Sequence, residues 1–326
     1  MKARMLLIAA VLPAALLPGA ARATAYERVD EMVEMSDEVY LEASVYYPPG
    51  TRDEKLPLVV RQHGGGSNKD NAYDVKYGLK FIDAGFALLM YSHRGHGNSQ
   101  GIFDFFGPRT TKDFSEMLDW VEKTFASKID THRTAVSGYS QGGGESLLPA
   151  AHDARVKAAS VGQTFADLNL ALNPNDCFKT SWATGIFAAA YKVSASRTDD
   201  ATAAKWGATW YSDTEDVGGP HVDSTTAHAR AHSPIAYVDA LNIPVFWAQA
   251  WEDQLFPGDH PAHILEPLRA RGVPVHYWFS SGGHARGPNF PAEESARERA
   301  MLEWIDEHVR GTDHGFASRP LVDYWR

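Results

Sequence analysis

Gly138-Tyr139-Ser140-Gln141-Gly142 lies between a short strand-like run, Thr134 to Ser137, and a small-residue, helix-like one, Gln141 to Ala151. In that setting G-x-S-x-G describes a serine on a turn so tight that side chains two positions either side would clash, which is why both flanks are glycine. Such a turn lifts the Ser140 hydroxyl clear of a sheet edge and aims the backbone N–H of Gln141 at a carbonyl under attack. The plain alternative is a Gly/Ser loop without chemistry. The partners that a reactive serine needs decide between the two readings.

A serine hydroxyl is a poor nucleophile at neutral pH; it needs a base to take its proton, and that base must be held in one tautomer by an acid. His284 stands in Ser280-Ser281-Gly282-Gly283-His284-Ala285, a small-residue loop just past the last expected strand, Val275 to Phe279. Asp253 stands in Trp251-Glu252-Asp253-Gln254-Leu255-Phe256-Pro257, just past the strand Val245 to Ala250. In a parallel sheet such loops all emerge at the carboxyl edges of strands, so Ser140, Asp253 and His284 can converge there. Of 14 histidines, His260, His263, His276 and His308 lie in or beside expected elements and read as core or surface residues. Glu252 and Asp259 remain rivals of Asp253 for the acid.

Acyl transfer also needs fixed N–H donors for the oxyanion. His63-Gly64-Gly65-Gly66 follows the buried type of strand Leu56 to Gln62, and its side-chain-free backbone makes Gly64 or Gly65 the expected donor opposite Gln141. A phosphate-cradling reading fails because neither the Lys-Ser/Thr of a P-loop nor a G-x-G-x-x-G accompanies the glycines. His93-Arg94-Gly95-His96-Gly97-Asn98-Ser99, with Asp104 nearby, has the look of a metal site, but the stronger reading is an arginine-braced turn. No metal and no cofactor is expected.

Around these residues strand-like and helix-like segments alternate, the pattern of an α/β fold with a mostly parallel central sheet and helices on both faces. Tyr40 to Tyr47 reads as an antiparallel edge strand, Ala87 to Ser92 as a buried one, and Asn71 to Ala84 as a helix ended by Gly85. Asp113 to Phe125 carries Phe114, Met117, Leu118 and Val121 on one helical face. Pro291 to Val309 reads as a closing amphipathic helix, and the tail after Gly311 has no period. Regularity fails between the strands Ala158 to Gly162 and Val245 to Ala250, which predicts a core of 26–165 and 241–326 with an inserted helical cap over 166–240. The cap's aromatics include Trp182 and Trp206; with Tyr139 they are the expected substrate-binding side chains, although aromatics at this density also suit a cap's own core.

Met1-Lys2-Ala3-Arg4 and the apolar run Met5 to Leu17 have the charge and length of a signal peptide over residues 1–25, cut near Ala23-Thr24-Ala25. The run is shorter than the ~20 residues of a bilayer span, so the expectation is a secreted or periplasmic protein with no stable membrane insertion after cleavage. Cys177 is the only cysteine, so no internal disulfide is available. The formal net charge is −10, and losing the leader removes Lys2, Arg4 and Arg22 but no acid. An acidic chain without a basic cluster argues against nucleic acid as a partner.

From about Val33 to Val309 the chain resembles the α/β-hydrolase superfamily, and within it the cocaine esterase and X-prolyl dipeptidyl-peptidase group. The resemblance rests on Gly138-Tyr139-Ser140-Gln141-Gly142-Gly143, on Arg94-Gly95-His96-Gly97-Asn98-Ser99-Gln100-Gly101, on the Asp113 to Val121 helix with Trp120, and on Ser233-Pro234 leading to Ile243-Pro244-Val245 before Asp253. The group commonly places a tyrosine in the oxyanion hole, where this chain has His63-Gly64-Gly65-Gly66. It also carries a β-sandwich domain of ~100 residues after the catalytic histidine, whereas 42 residues follow His284 here. The reading is an exported serine hydrolase cleaving carboxylic esters, with an X-prolyl or other serine aminopeptidase as the alternative and a hydrolase fold used only for binding as a third. The partner is a small-molecule ester or short peptide.

Overall fold

Leu56–Gln62 (β3) and Ile129–Tyr139 (β5), the strands that lead into the glycine loop and Ser140, lie side by side and parallel, with Gln62 paired to Gly138. This computed structural model describes residues 25–50, 53–176, 179, 181–182, 220–284 and 290–324. Among them the remaining strands are Glu27–Glu34 (β1), Tyr40–Tyr47 (β2), Ala87–Tyr91 (β4), Val156–Gly162 (β6), Val245–Ala250 (β7), Val275–Ser280 (β8) and Val322–Tyr324 (β9). They form one sheet in the order β1-β2-β4-β3-β5-β6-β7-β8-β9. The pairs β1·β2 and β2·β4 are antiparallel and the rest parallel. The chain ends of β3 through β8 therefore share one rim, from which His63, His93, Ser140, Gln163, Asp253 and His284 all emerge.

Helices cover both faces: Ala72–Asp83 (α1), Pro108–Thr124 (α2), Gln141–Ala150 (α3), Leu168–Leu172 (α4), Pro220–Ala231 (α5), His260–Ala270 (α6) and Pro291–Arg310 (α7). Alternation along each strand sorts the core into two layers. Leu58 and Val60 of β3 join Phe114, Met117, Leu118 and Val121 of α2 and Ile264, Leu265 and Leu268 of α6. Val59 between them joins Phe81 and Ile82 of α1 and Met301, Trp304 and Ile305 of α7. A fully buried aliphatic or aromatic side chain contributes about 1.5–3 kcal/mol, so these two layers fix which face each helix must present.

Several elements depart from expectation for identifiable reasons. β2 is not an edge strand: β1 pairs with it along its whole length, from Glu27↔Tyr47 to Glu34↔Tyr40, and buries what would have been an exposed edge. α2 begins at Pro108, earlier than Asp113, because the Asp104 carboxylate accepts hydrogen bonds from the backbone N–H of Gly107 and Arg109 and from the Thr110 hydroxyl. α1 starts where expected, since the Asn71 side chain caps the N–H groups of Tyr73 and Asp74. Of the expected cap, α4 and α5 are described; Trp206 and Cys177 lie outside the described residues, as does the leader before residue 25. No helix among the described residues is long and apolar enough to cross a membrane.

Arg94 braces the loop after β4. Its Nε donates to Asp113 Oδ2 at 2.6 Å and its Nη2 to Oδ1 at 2.8 Å, tying the loop to α2, while Nη1 reaches Asp37 at 3.2 Å. The Asp113 carboxylate is 1% exposed, so removing it leaves the buried guanidinium with only the exposed Asp37 as its carboxylate partner. We expect Asp113→Ala to lower the unfolding free energy in urea by about 3–5 kcal/mol; a loss below about 1 kcal/mol would show the bracing to be dispensable.

Candidate active site

Ser140 sits between β5 and α3 with φ 56° and ψ −127°, a conformation that non-glycine residues rarely adopt. Its neighbours hold it there. A Cβ on Gly138 would stand 2.1 Å from the Gly142 carbonyl oxygen, and one on Gly142 would stand 2.3 Å from that of Gln62, so neither position admits a side chain. The Ser140 N–H donates to Gly162 O at 3.1 Å, and its carbonyl accepts from the Thr164 hydroxyl at 2.6 Å. Four separate restraints thus converge on one residue and lift its hydroxyl above the rim.

His284 Nε2 lies 3.0 Å from Ser140 Oγ, and His284 Nδ1 lies 3.0 Å from Asp253 Oδ2. The carboxylate can only accept, so Nδ1 carries the proton and Nε2 is left to accept from the serine hydroxyl. Asp253 is fixed in turn: Oδ1 accepts from the N–H groups of Leu255 and Phe256, both at 2.9 Å, and Gln249 Nε2 approaches Oδ2 at 3.3 Å. Of its two rivals, Glu252 is exposed and Asp259 stands at the start of α6 without capping it. A hydroxyl, an imidazole and a buried carboxylate in this line can pass a proton from oxygen to nitrogen while the hydroxyl oxygen attacks an acyl carbon.

The glycine loop abuts the serine turn. A Cβ on Gly65 would stand 3.1 Å from Gln141 Oε1, and one on Gly64 3.9 Å from Tyr139 O. Among the described residues no acceptor bonds the backbone N–H of Gly65 or Gln141, so both remain available to a substrate oxygen. Behind the loop, His63 donates from Nδ1 to Gly64 O at 2.8 Å and accepts at Nε2 from the His93 N–H at 3.1 Å. Burial pushes His63 down to about 4, keeping it neutral in that one tautomer. His93 stacks on His63 at 4.1 Å, is held well below the ordinary range by burial, and lies within reach of Gln62 Oε1 at 2.7 Å and Gln141 Nε2 at 3.2 Å. Glu145 lies beneath, its Oε1 3.6 Å from His93 Nδ1; burial first, and then the charges of Asp104 and Asp113, raise it well above the carboxylate range. These histidines stiffen the loop that carries the expected oxyanion donors.

Trp182 packs edge-on to His284 at 5.5 Å and Phe256 does so at 5.0 Å, so the imidazole is flanked by two aromatic rings. Phe256 continues through Phe165 to Phe106 as an unbroken aromatic wall. Tyr139, expected over the substrate, is placed elsewhere: its ring is buried between the Arg61 and Arg297 guanidinium groups, and its hydroxyl meets Met301 Sδ at 2.8 Å in the α7 layer. Residues along a strand alternate faces, and Tyr139 shares the face of Ala135. Sequence reasoning missed Gln163, Thr164 and Glu293. Glu293, at the start of α7, accepts from the Ser281 N–H at 2.7 Å and from its hydroxyl, anchoring the His284 loop. The signal for the first two was available, since they follow the end of β6 on the same rim as Ser140.

The fold is that of the α/β-hydrolases. The family model described as X-Pro dipeptidyl-peptidase (S15 family) matches residues 37–286. The quorum-quenching protein AidA of Acinetobacter baumannii is 31% identical over 147 residues, 43% of this chain and 46% of that protein. An acylaminoacyl peptidase of Pyrococcus horikoshii superposes with a TM-score of 0.65 at 15% identity, covering 89% of this chain and 43% of that one. An esterase of Pyrococcus furiosus gives 0.61 at 15% identity, covering 87% and 92%. The matched stretches span less than half the length of AidA and of the P. horikoshii peptidase, and at this identity the two superpositions speak for fold alone.

The locked tautomer of His63 has a measurable consequence. Between the ordinary histidine value of 6.5 and about 4, the unfolded chain takes up a proton that the folded chain excludes. Stability therefore falls as pH drops through that window, and the contribution levels off below it. His63→Gln should reduce the loss of urea stability between pH 7 and pH 4.5 by on the order of 2 kcal/mol. Identical pH slopes for the two proteins would contradict a neutral, excluded His63.

Proposed function

We propose, starting from the fact that this chain belongs to the X-Pro dipeptidyl-peptidase (S15) family, that Ser140 is its nucleophile, His284 its general base and acid, and Asp253 the residue that orients His284. The chain is a serine hydrolase enzyme. The observation that carries the residue assignment is the pair of 3.0 Å contacts, Ser140 Oγ to His284 Nε2 and His284 Nδ1 to Asp253 Oδ2. In this reading Ser140 Oγ adds to the carbonyl carbon as its proton moves to His284 Nε2, and the imidazolium is stabilised by Asp253. The N–H of Gln141, with that of Gly64 or Gly65, holds the oxyanion. His284 then protonates the leaving group, and water, deprotonated by the same imidazole, releases the acyl group from Ser140.

The proposed substrate is a carboxylic ester with an apolar acyl group seated against Phe256, Phe165 and Trp182. An aminopeptidase needs a fixed carboxylate for the substrate's amino terminus; three described carboxylates beside the rim are already engaged, while Glu252 and Asp259 are exposed and, among the described residues, not held in place by a side-chain hydrogen bond. Asp104 caps α2, Asp167 caps α4, and Glu293 anchors Ser281. The X-prolyl aminopeptidase reading is favoured by the family match, and the acidic positions Asp199, Asp200, Asp213, Glu215 and Asp216, which would supply such a group, lie outside the described residues. Export of the mature enzyme, from the leader expected over 1–25, belongs to the same proposal.

Parallel assays of p-nitrophenyl acyl esters and aminoacyl-prolyl anilides should give the larger kcat/KM on the esters. Ser140→Ala should abolish turnover of both. Asp253→Asn should lower kcat about 10³- to 10⁴-fold by allowing the wrong imidazole tautomer. Turnover surviving in Ser140→Ala overturns the mechanism, and anilides preferred over esters replace the substrate class with the peptidase one.

A further inference from the structure

β6 ends in Gly162-Gln163-Thr164, and this short stretch touches both the serine turn and the histidine loop. Gly162 O accepts from the Ser140 N–H at 3.1 Å, and the Thr164 hydroxyl donates to Ser140 O at 2.6 Å. Between them Gln163 reaches the other way: its Nε2 donates to Gly283 O at 2.9 Å, the carbonyl immediately before His284. Gln163 is buried, and its own N–H donates to Ala248 O at 2.8 Å, so its backbone is pinned to β7.

Gln163 also has φ 43°, in the left-handed region that non-glycine residues avoid. The conformation sends its side chain toward the histidine loop while Thr164 returns to Ser140. The loop is gripped on its other sides as well. A Cβ on Gly283 would stand 2.9 Å from Glu252 O, and Glu252 N–H donates to Gly282 O at 3.0 Å. The Gln163 hydrogen bond is the one contact among these that runs from the nucleophile's side of the rim to the base's loop.

We propose that Gln163, assisted by Thr164, is a positioning residue that sets the separation of Ser140 Oγ and His284 Nε2. The proposal rests on the serine-hydrolase reading above. Gln163 touches no reacting atom; it acts by holding Gly283 O while its neighbour holds Ser140 O. Loss of the amide donor leaves the loop free to drift, and a misplacement of about 1 Å in a proton-transfer pair can cost about 100-fold in rate.

The test uses the full-length enzyme with Gln163→Met, which keeps length without a donor, and Thr164→Val, which keeps shape without a hydroxyl. Active sites are titrated with a fluorophosphonate, and kcat per titrated site and KM are measured on one p-nitrophenyl ester. Gln163→Met should lose about 10- to 100-fold in kcat with KM within about twofold, and Thr164→Val less. A purely structural role would lower the number of titratable sites and the melting temperature and leave kcat per site unchanged; that result overturns the proposal, as does an effect confined to KM. Should Gln163→Met not fold, Gln163→Asn, with the same amide one methylene short, carries the comparison with the same expected loss. A folded wild type that takes up no fluorophosphonate overturns the serine-hydrolase reading itself, and a labelled wild type with unaffected variants overturns only the positioning role.

Discussion

The turn at Ser140 is the constraint on which the rest of the site depends. A backbone at φ 56° and ψ −127° does not persist by itself; it is imposed by the packing of α3 against β3 and β5 through Gly138 and Gly142, where even a methyl group would overlap backbone. Because α3 starts immediately after the serine, the Gln141 N–H has no partner within the helix, and no acceptor among the described residues bonds it. The placement of the Ser140 hydroxyl and the unpartnered Gln141 N–H are therefore consequences of one packing event.

The neighbouring strands do the remaining work by ending at the same rim. β3 delivers the glycine loop, β6 the Gln163-Thr164 pair, β7 Asp253 and β8 His284. Each is held by hydrogen bonds to a neighbour: Asp253 by the N–H groups of Leu255 and Phe256, the histidine loop by Gln163 and Glu293, and the glycine loop by the neutral His63. Keeping His63 and His93 uncharged lets a polar network persist behind the glycine loop without a buried net charge, which would be far more costly.

Most of the strands were legible in the sequence because β3 and β7 are fully buried, mainly apolar runs and β5 leads into a glycine-flanked serine. What escaped was decided by partners. β1, ERVDEMVE, carries charges at most positions and is a strand because β2 offers its backbone a ladder. β9 is three residues long and forms by pairing with β8. The start of α2 depended on a carboxylate lying outside the helix, at Asp104. Within the site, a rule that links strand ends to one rim reaches Ser140, His284, Asp253 and Gln163 alike, but not the positive φ of Gln163, on which its reach to the histidine loop depends. Tyr139, an expected substrate-binding residue, is sent by strand alternation to the opposite layer with Ala135.

The most direct measurement is the mapping, by peptide mass spectrometry, of the adduct left by a fluorophosphonate on the folded protein. One phosphonyl group is expected, carried by the peptide that contains Ser140, formed rapidly in the wild type and much more slowly in His284→Ala. A modification on any other residue, or equal labelling rates in the two proteins, would contradict a serine activated by His284.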